Sequence, residues 1–233
     1  MIRVAHCRIL EPLPDGMLSR ENRHYLENVL RLRAGDSFTV TDGKGKEAAA
    51  RILAHGRYEI DSWVDPQREP EIEVALFPGV TKGDSFEWLI EKAVEMGVAR
   101  IVPVFTERSV IKTVSSSKLD RWKMIALSAM LQCGGCRVPE ITVPEGFSEI
   151  KPPPDETGAF FLHENSISGA LRGLPSACTS KIWLASGPEG GFTDREVEYL
   201  QDAGWRAVWL GKRLFKSETA PLVALADILI NRE

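Results

Sequence analysis

The chain has 233 residues, 43% of them hydrophobic and 27% charged, which is the balance of a soluble globular protein with room for one large domain or two smaller ones. No apolar run approaches the roughly 20 residues of a membrane span, and the N-terminus carries no basic-then-apolar leader pattern, so a cytoplasmic protein is expected. A net charge of −4 excludes a protein coated in basic surface, and because the first 70 residues hold 11 basic and 11 acidic side chains, the acidic excess lies in the remainder.

The first region reads as β-rich with one helix. "RVAHCRI" (3–9) predicts a short strand. "SRENRHYLENVLRLRAGD" (19–36) places Tyr25, Leu26, Val29, Leu30 and Leu32 at helical spacing, with Gly35 as the stop. "SFTVTDGKGKEAAARIL" (37–53) predicts a hairpin around Asp42-Gly43, and "YEIDSWV" (58–64) another strand. The polar, proline-bearing "DPQREPE" (65–71) marks a domain boundary, giving expected domains at 1–68 and 72–233. Arg20, Arg23, Arg31 and Arg33 form a basic cluster, either a solvated face or phosphate contacts.

From residue 72 the pattern alternates strand and helix. "IEVALFPG" is a buried strand. Asp84, with Glu87 three residues on, predicts a capped helix whose apolar face is Phe86, Leu89, Ile90, Ala93 and Val94, ended by Gly97. "RIVPVFT" (100–106) is read as one strand and "SKLDRWKMIALSAMLQ" (117–132) as a helix. "AFFLHE", "KIWLAS" and "AVWLG" are strands, each followed by a helical pattern: "SISGALRGL", "DREVEYLQDAG" and "ETAPLVALADILIN". Repeated β-α units with continuous apolar strands predict a parallel sheet covered on both faces. Of Cys7, Cys133, Cys136 and Cys178, the "CGGC" pair has redox or zinc spacing. No second ligand pair follows, so the reading preferred for 133–136 is helix-end packing and turn residues.

Ligands of open parallel sheets bind outside the carboxyl ends of the strands. Three such ends carry candidate chemistry: Leu162-His163-Glu164, Gly187–Gly191, and Leu210-Gly211 onward. Thr193 and Glu196 form a capping box that starts a helix at Asp194, leaving 187–192 as a loop of exposed amides. The loop fits neither phosphate-binding pattern, G-x-x-x-x-G-K-[ST] or G-x-G-x-x-G, and Glu189 sits at its centre. It is either a structural Gly-Pro turn with a solvated glutamate, or the cradle of a phosphate-free, cationic nucleoside such as S-adenosylmethionine (SAM). The last loop, "LGKRLFKSETAPLVAL", places Lys212, Arg213 and Lys216 before Ser217, which is a candidate cap for the final helix. Pro221 falls in that helix's first turn, where its missing N–H is harmless. A cationic loop beside a carboxylate loop suits transfer of a positively charged group to an anionic polymer; the plain alternative is a basic surface turn.

"GPEGGFTDREVE" and "LGKRLFKSETA…AL" resemble the two signature loops of the 16S rRNA uridine-N3 methyltransferases, a group of the SPOUT superfamily. "HYLENVLRLRAGD…DG", "KGDSFEWLIEKAVEMGVARIVPVFTERSV" and "RW…IA…Q" resemble the rest of that family in order, so the resemblance covers essentially the whole chain. It implies a PUA-like β-barrel that binds RNA, followed by an α/β SPOUT domain with a deep trefoil knot, acting as a homodimer through the C-terminal domain on 16S rRNA or the small ribosomal subunit. It implies SAM as cofactor, enclosed by Leu162, His163, Gly187, Pro188, Glu189, Gly190, Gly191, Leu210, Gly211, Leu214 and Thr219. Arg213, then Lys216, would stabilise charge on the uracil oxygens as N3 loses its proton. Glu218 or Glu189 would take that proton or orient the site. No metal is called for, since a sulfonium is already activated. RNA contact would fall to Arg3, Arg23, His24, Arg31 and Arg33. The chain departs from the family pattern at Ser128 and Leu131, where acids are usual, at Gly135, where arginine is usual, and at Lys216 in place of arginine; Arg137 is a displaced substitute for the arginine missing at 135. The alternatives are a non-catalytic RNA-binding or ribosome-assembly factor of the same fold, or a SPOUT methyltransferase with another target nucleotide.

Overall fold

The structure is a computed structural model that describes residues 8–10, 16–164 and 180–229. The chain divides into two compact units, Met1–Glu69 with Leu127–Val138, and Pro70–Ala126 with Pro139–Glu233. Among the described residues no helix is long and apolar enough to cross a membrane.

The first unit holds β1 (Arg8–Leu10), α1 (Arg20–His24), β2 (Ser37–Thr41), β3 (Glu47–Ile52) and β4 (Tyr58–Ile60). They form a mixed four-stranded sheet in that order, with β1 parallel to β2 and the other pairs antiparallel. Burial alternates along β3, the signature of a sheet with one face on a core. That core gathers Ile9, Leu26, Phe38, Val40, Ile52 and Tyr58. The helix expected over 19–36 is shorter. Ser19 Oγ accepts the Asn22 N–H and starts it, a π-helical turn follows at Tyr25–Val29, and Arg31 (φ 59°) ends it. Gly35 is not the stop. Leu26 is fully buried while Tyr25 and Val29 are exposed, so a single apolar row docks rather than the stripe the spacing suggests. The hairpin forms as expected, its turn fixed by Asp42 Oδ1 accepting the N–H groups of Lys44 and Lys46.

The second unit holds β5 (Glu73–Pro78), α2 (Ser85–Glu95), β6 (Arg100–Ile101), β7 (Val104–Phe105), β8 (Glu140–Ile141), β9 (Glu145–Gly146), β10 (Thr157–Leu162), β11 (Lys181–Ser186), α4 (Asp194–Asp202), β12 (Arg206–Val208) and α5 (Thr219–Leu229); α3 (Ser116–Cys133) begins in this unit and ends in the first. Six strands make an all-parallel sheet in the order β12-β10-β11-β5-β6-β8. "RIVPVFT" is not one strand: Pro103, with no N–H to give the ladder, separates β6 from β7, and β7 pairs with β9 in a sheet of two. The apolar face expected for α2 is buried residue for residue. Asp84 stands at its N-cap without a side-chain cap bond. Glu87 is instead taken by Arg121, whose Nε lies 2.9 Å from both carboxylate oxygens. Those hydrogen bonds hold the guanidinium above its usual pKa. An aromatic cluster of Phe77, Trp183 and Trp205 packs in the core of this unit, Phe77 and Trp205 edge to face at 5.4 Å. The helix expected at 166–174 lies outside the described residues.

Candidate active site

β12, β10 and β11 are neighbours in the sheet, so their carboxyl ends lie side by side and the three loops read from the sequence converge. Together they line a cleft of about 580 Å³, within the range of ligand pockets. Leu162 and His163 enter from β10; Gly187, Pro188, Glu189, Gly190 and Gly191 from the loop after β11; Leu210, Gly211, Arg213, Leu214, Lys216 and Glu218 from the loop after β12. Thr219 is not among the lining residues, although Glu218 and Ala220 are. Arg23, His24, Arg31 and Arg33 belong to the first unit, where all four are exposed. Arg23 pairs with Glu27 at 3.0 Å, and the His24 ring contacts Asn28 at 3.2 Å. Arg3 lies outside the described residues.

The glycine-rich loop is a tight turn closed by the Gly191 N–H on the Pro188 carbonyl at 2.9 Å. Gly191 has φ 67°, where a side chain would be strained. Gly187 passes so close to the far side of the turn that an added Cβ would stand 2.9 Å from the Gly191 backbone. The helix beyond is closed by the expected capping box, Thr193 and Glu196 each receiving the other's backbone N–H. Glu196 is buried and also accepts the Glu107 N–H at 2.7 Å, so a carboxylate already occupies this helix end. Glu189 Oε1 accepts the Lys82 N–H at 3.1 Å, tying the turn to the segment after β5.

The basic loop is built differently. Lys212, Arg213, Leu214, Phe215 and Lys216 are all exposed, Leu214 by 77%. The Ser217 hydroxyl does not cap α5 but donates to Glu218 Oε2 at 3.1 Å. Lys216 Nζ stands 3.9 Å from Glu218 Oε1, a loose pairing for an exposed lysine. The cleft thus carries Glu164, Glu189 and Glu218 against Arg108, Arg213 and Lys216.

Sequence reasoning missed Ser85, Arg108, Ser186, Trp209 and Phe215 as cleft residues. Ser186 ends the β11 run and signals nothing by its type, yet its hydroxyl is buried with no partner among the described residues. Buried polar atoms of this kind ordinarily find a water or ligand. Arg108 reaches the cleft from a segment 82 positions before Gly190, and no local pattern announces it.

A profile of the RNA methyltransferase domain matches residues 68–229, and one of the RNA methyltransferase PUA domain matches residues 18–60. The ribosomal RNA small subunit methyltransferase E of Synechocystis sp. is 36% identical over 219 residues, covering 91% of this chain and 71% of the relative. That of Bacillus subtilis is 30% identical over 96% of this chain and 93% of its own length. The chain belongs to the ribosomal RNA small subunit methyltransferase E family. The PUA match lies within the first unit, and the methyltransferase match takes in the second unit up to residue 229 together with residues 127–138 of the first. The crystal structure of the family member from Neisseria gonorrhoeae, bound to S-adenosyl methionine, is similar with a TM-score of 0.85 and 32% identity, over 95% of both chains. A Legionella pneumophila protein in complex with bound SAM is similar with a TM-score of 0.84 and 30% identity, over 94% of this chain and 95% of that one.

Proposed function

We propose that the chain is a SAM-dependent methyltransferase of small-subunit ribosomal RNA, acting on N3 of a uridine in 16S rRNA. The observation that carries this reading is the cleft in which a glycine-rich carboxylate loop and a cationic loop meet at adjacent strand ends. The residues fit the cofactor. The cleft has the volume for a nucleoside, its wall holds an unspent buried hydroxyl at Ser186, and the helix end that would attract a phosphate is filled by Glu196. Leu162, His163, Gly187, Pro188, Gly190, Gly191, Leu210, Gly211 and Leu214 would enclose it, with Thr219 behind the wall. When bound, the cofactor supplies a methyl group already activated by its sulfonium.

The chain's own residues then manage charge and protons. Neutral uracil carries a proton on N3, and its loss leaves negative charge on the ring oxygens. Arg213, with its planar fork, is the first candidate to hold that charge, and Lys216 the second. Glu218, half-buried beside them, is placed to take the proton directly or through water. Glu189, bound to the Lys82 N–H, orients the loop. Arg3, Arg23, His24, Arg31 and Arg33 would meet RNA phosphates from a domain at 1–68, while the domain at 72–233 does the chemistry. A closed PUA-like barrel, a trefoil knot, a homodimer formed through the C-terminal domain and a cytoplasmic location complete the reading; they are supported by the family resemblance. The test is mass spectrometry of 16S rRNA nucleosides from a deletion strain. Loss of one N3-methyluridine is expected, and an unchanged N3-methyluridine content rejects the substrate.

A further inference from the structure

The glycine-rich loop is held from outside by a residue that neither its own sequence nor the proposed chemistry uses. Arg108 lies just beyond β7. Its Nη1 donates to the Gly190 carbonyl at 2.7 Å and to the Phe192 carbonyl at 3.2 Å. Its stem lies over Gly190 so closely that an added Cβ there would stand 3.2 Å from both Cβ and Cδ of the arginine. The platform carrying Arg108 is itself fixed. Lys112 Nζ donates to the Thr106 and Glu107 carbonyls at 2.7 and 2.9 Å. Ser109 Oγ accepts the Thr106 N–H at 3.1 Å, and the Glu107 N–H is bound by Glu196, the same carboxylate that receives the Thr193 N–H.

We propose that Arg108 is a positioning residue for the cofactor: it clamps the outer carbonyls of the glycine-rich loop and so fixes the loop's course along the cleft. This rests on the reading of the cleft as the SAM site. The physical case is one of satisfied polarity. The loop has no sheet or helix ladder of its own, and its turn is closed by one recorded backbone bond, Gly191 to Pro188. A cation shared between the carbonyls of residues 190 and 192 adds charge-assisted bonds, which are stronger than neutral ones, and it leans on the chain where a glycine lets it approach. Without it those carbonyls turn to water and the loop loses its outer restraint. Both bonds leave the one Nη1, so a lysine at 108 keeps the charge but must bring a shorter, more strongly hydrated head to the same point. The rival use of an exposed arginine at a cleft rim is a direct contact to RNA phosphate.

Three measurements on Arg108→Ala, Arg108→Lys and Gly190→Ala separate these roles: amide hydrogen exchange of residues 187–193 without ligand, calorimetric binding of SAM, and steady-state KM for rRNA. The expected result for Arg108→Ala is faster exchange at Gly190–Phe192 and cofactor binding weakened about tenfold, from the loss of both charge-assisted bonds to the loop. Its KM for rRNA stays within about twofold of native, and Arg108→Lys falls between. Arg108 is exposed, so the alanine variant keeps its fold; Gly190→Ala, which presses on the arginine stem, is expected to weaken cofactor binding in the same direction. Native exchange and native cofactor binding in Arg108→Ala overturn the proposal, and a raised rRNA KM on top of them assigns Arg108 to the RNA. If native protein binds no SAM while exchange still responds to Arg108→Ala, the clamp stands and the cofactor reading falls.

Discussion

The two loops that share the cleft are held in opposite ways. The glycine-rich loop is pinned by Glu189 on the Lys82 N–H, by Arg108 on two carbonyls and by the capping box at Thr193–Glu196. In the basic loop, the side chains of Lys212, Arg213, Leu214 and Phe215 make no hydrogen bond or ion pair among the described residues, and Lys216 has only its loose approach to Glu218. A wall that recognises a ligand through backbone must be fixed before the ligand arrives, because preorganisation is what binding otherwise has to supply. An arm that meets a large anionic substrate needs its cations unspent.

The largest test of this contrast is Arg213→Ala. It would remove the proposed charge stabilisation without touching the fixed wall, so kcat is expected to fall about 100- to 1000-fold while calorimetry shows unchanged cofactor binding. A full-rate Arg213→Ala enzyme would break the assignment. Gly187→Ala attacks the opposite side. Its Cβ would meet the Gly191 backbone at 2.9 Å, and overpacking of about 1–3 kcal/mol should weaken cofactor binding roughly tenfold or more with the KM for rRNA near native. Glu189 sharpens the division further. Glu189→Gln keeps an acceptor for the Lys82 N–H and should retain kcat within about twofold, whereas Glu189→Ala should weaken cofactor binding about two- to tenfold, the value of one hydrogen bond. A collapse of kcat in Glu189→Gln would make it the proton acceptor instead. The smallest effect belongs to Thr193→Ala. Loss of the hydroxyl half of the cap should cost about 1 kcal/mol and lower the melting temperature by about 2–4 °C, with cofactor affinity little changed because Glu196 still takes the N–H of residue 193 and Glu189 and Arg108 still hold the loop.

The features legible in the sequence are those written over a few residues or one period. The capping box at Thr193–Glu196 is a four-residue pattern and forms as read. The face of α2 follows from helical spacing alone. The meeting of three strand ends follows from the alternation of strand and helix, since parallel strands open their ligand crevice at the carboxyl edge. What escaped reading depends on partners far away in the chain. Glu87 looked like half of a capping box at Asp84, but Arg121 offers it two charge-assisted bonds and wins. Ser217 looked like a cap, but the neighbouring carboxylate of Glu218 takes its hydroxyl. The helix after Ser19 stops at Arg31 rather than Gly35 because the left-handed residue that ends it is not a glycine. Arg108 and Ser186 carry no local signal, because their significance lies in what they touch or fail to touch.

The departures at Ser128, Leu131 and Gly135 fall within residues 127–138, the piece that joins the first unit from further along the chain. There the Cys136 carbonyl accepts the Gly45 N–H and the Thr41 hydroxyl, while Glu69 binds the N–H groups of Cys136 and Arg137 at 2.6 and 3.0 Å. This sets an order of assembly during synthesis. When residue 69 leaves the ribosome, the Gly45 N–H still lacks its acceptor and the carboxylate of Glu69 its donors. Almost seventy further residues must emerge, through Val138, before the first unit to be translated can be the first to finish folding.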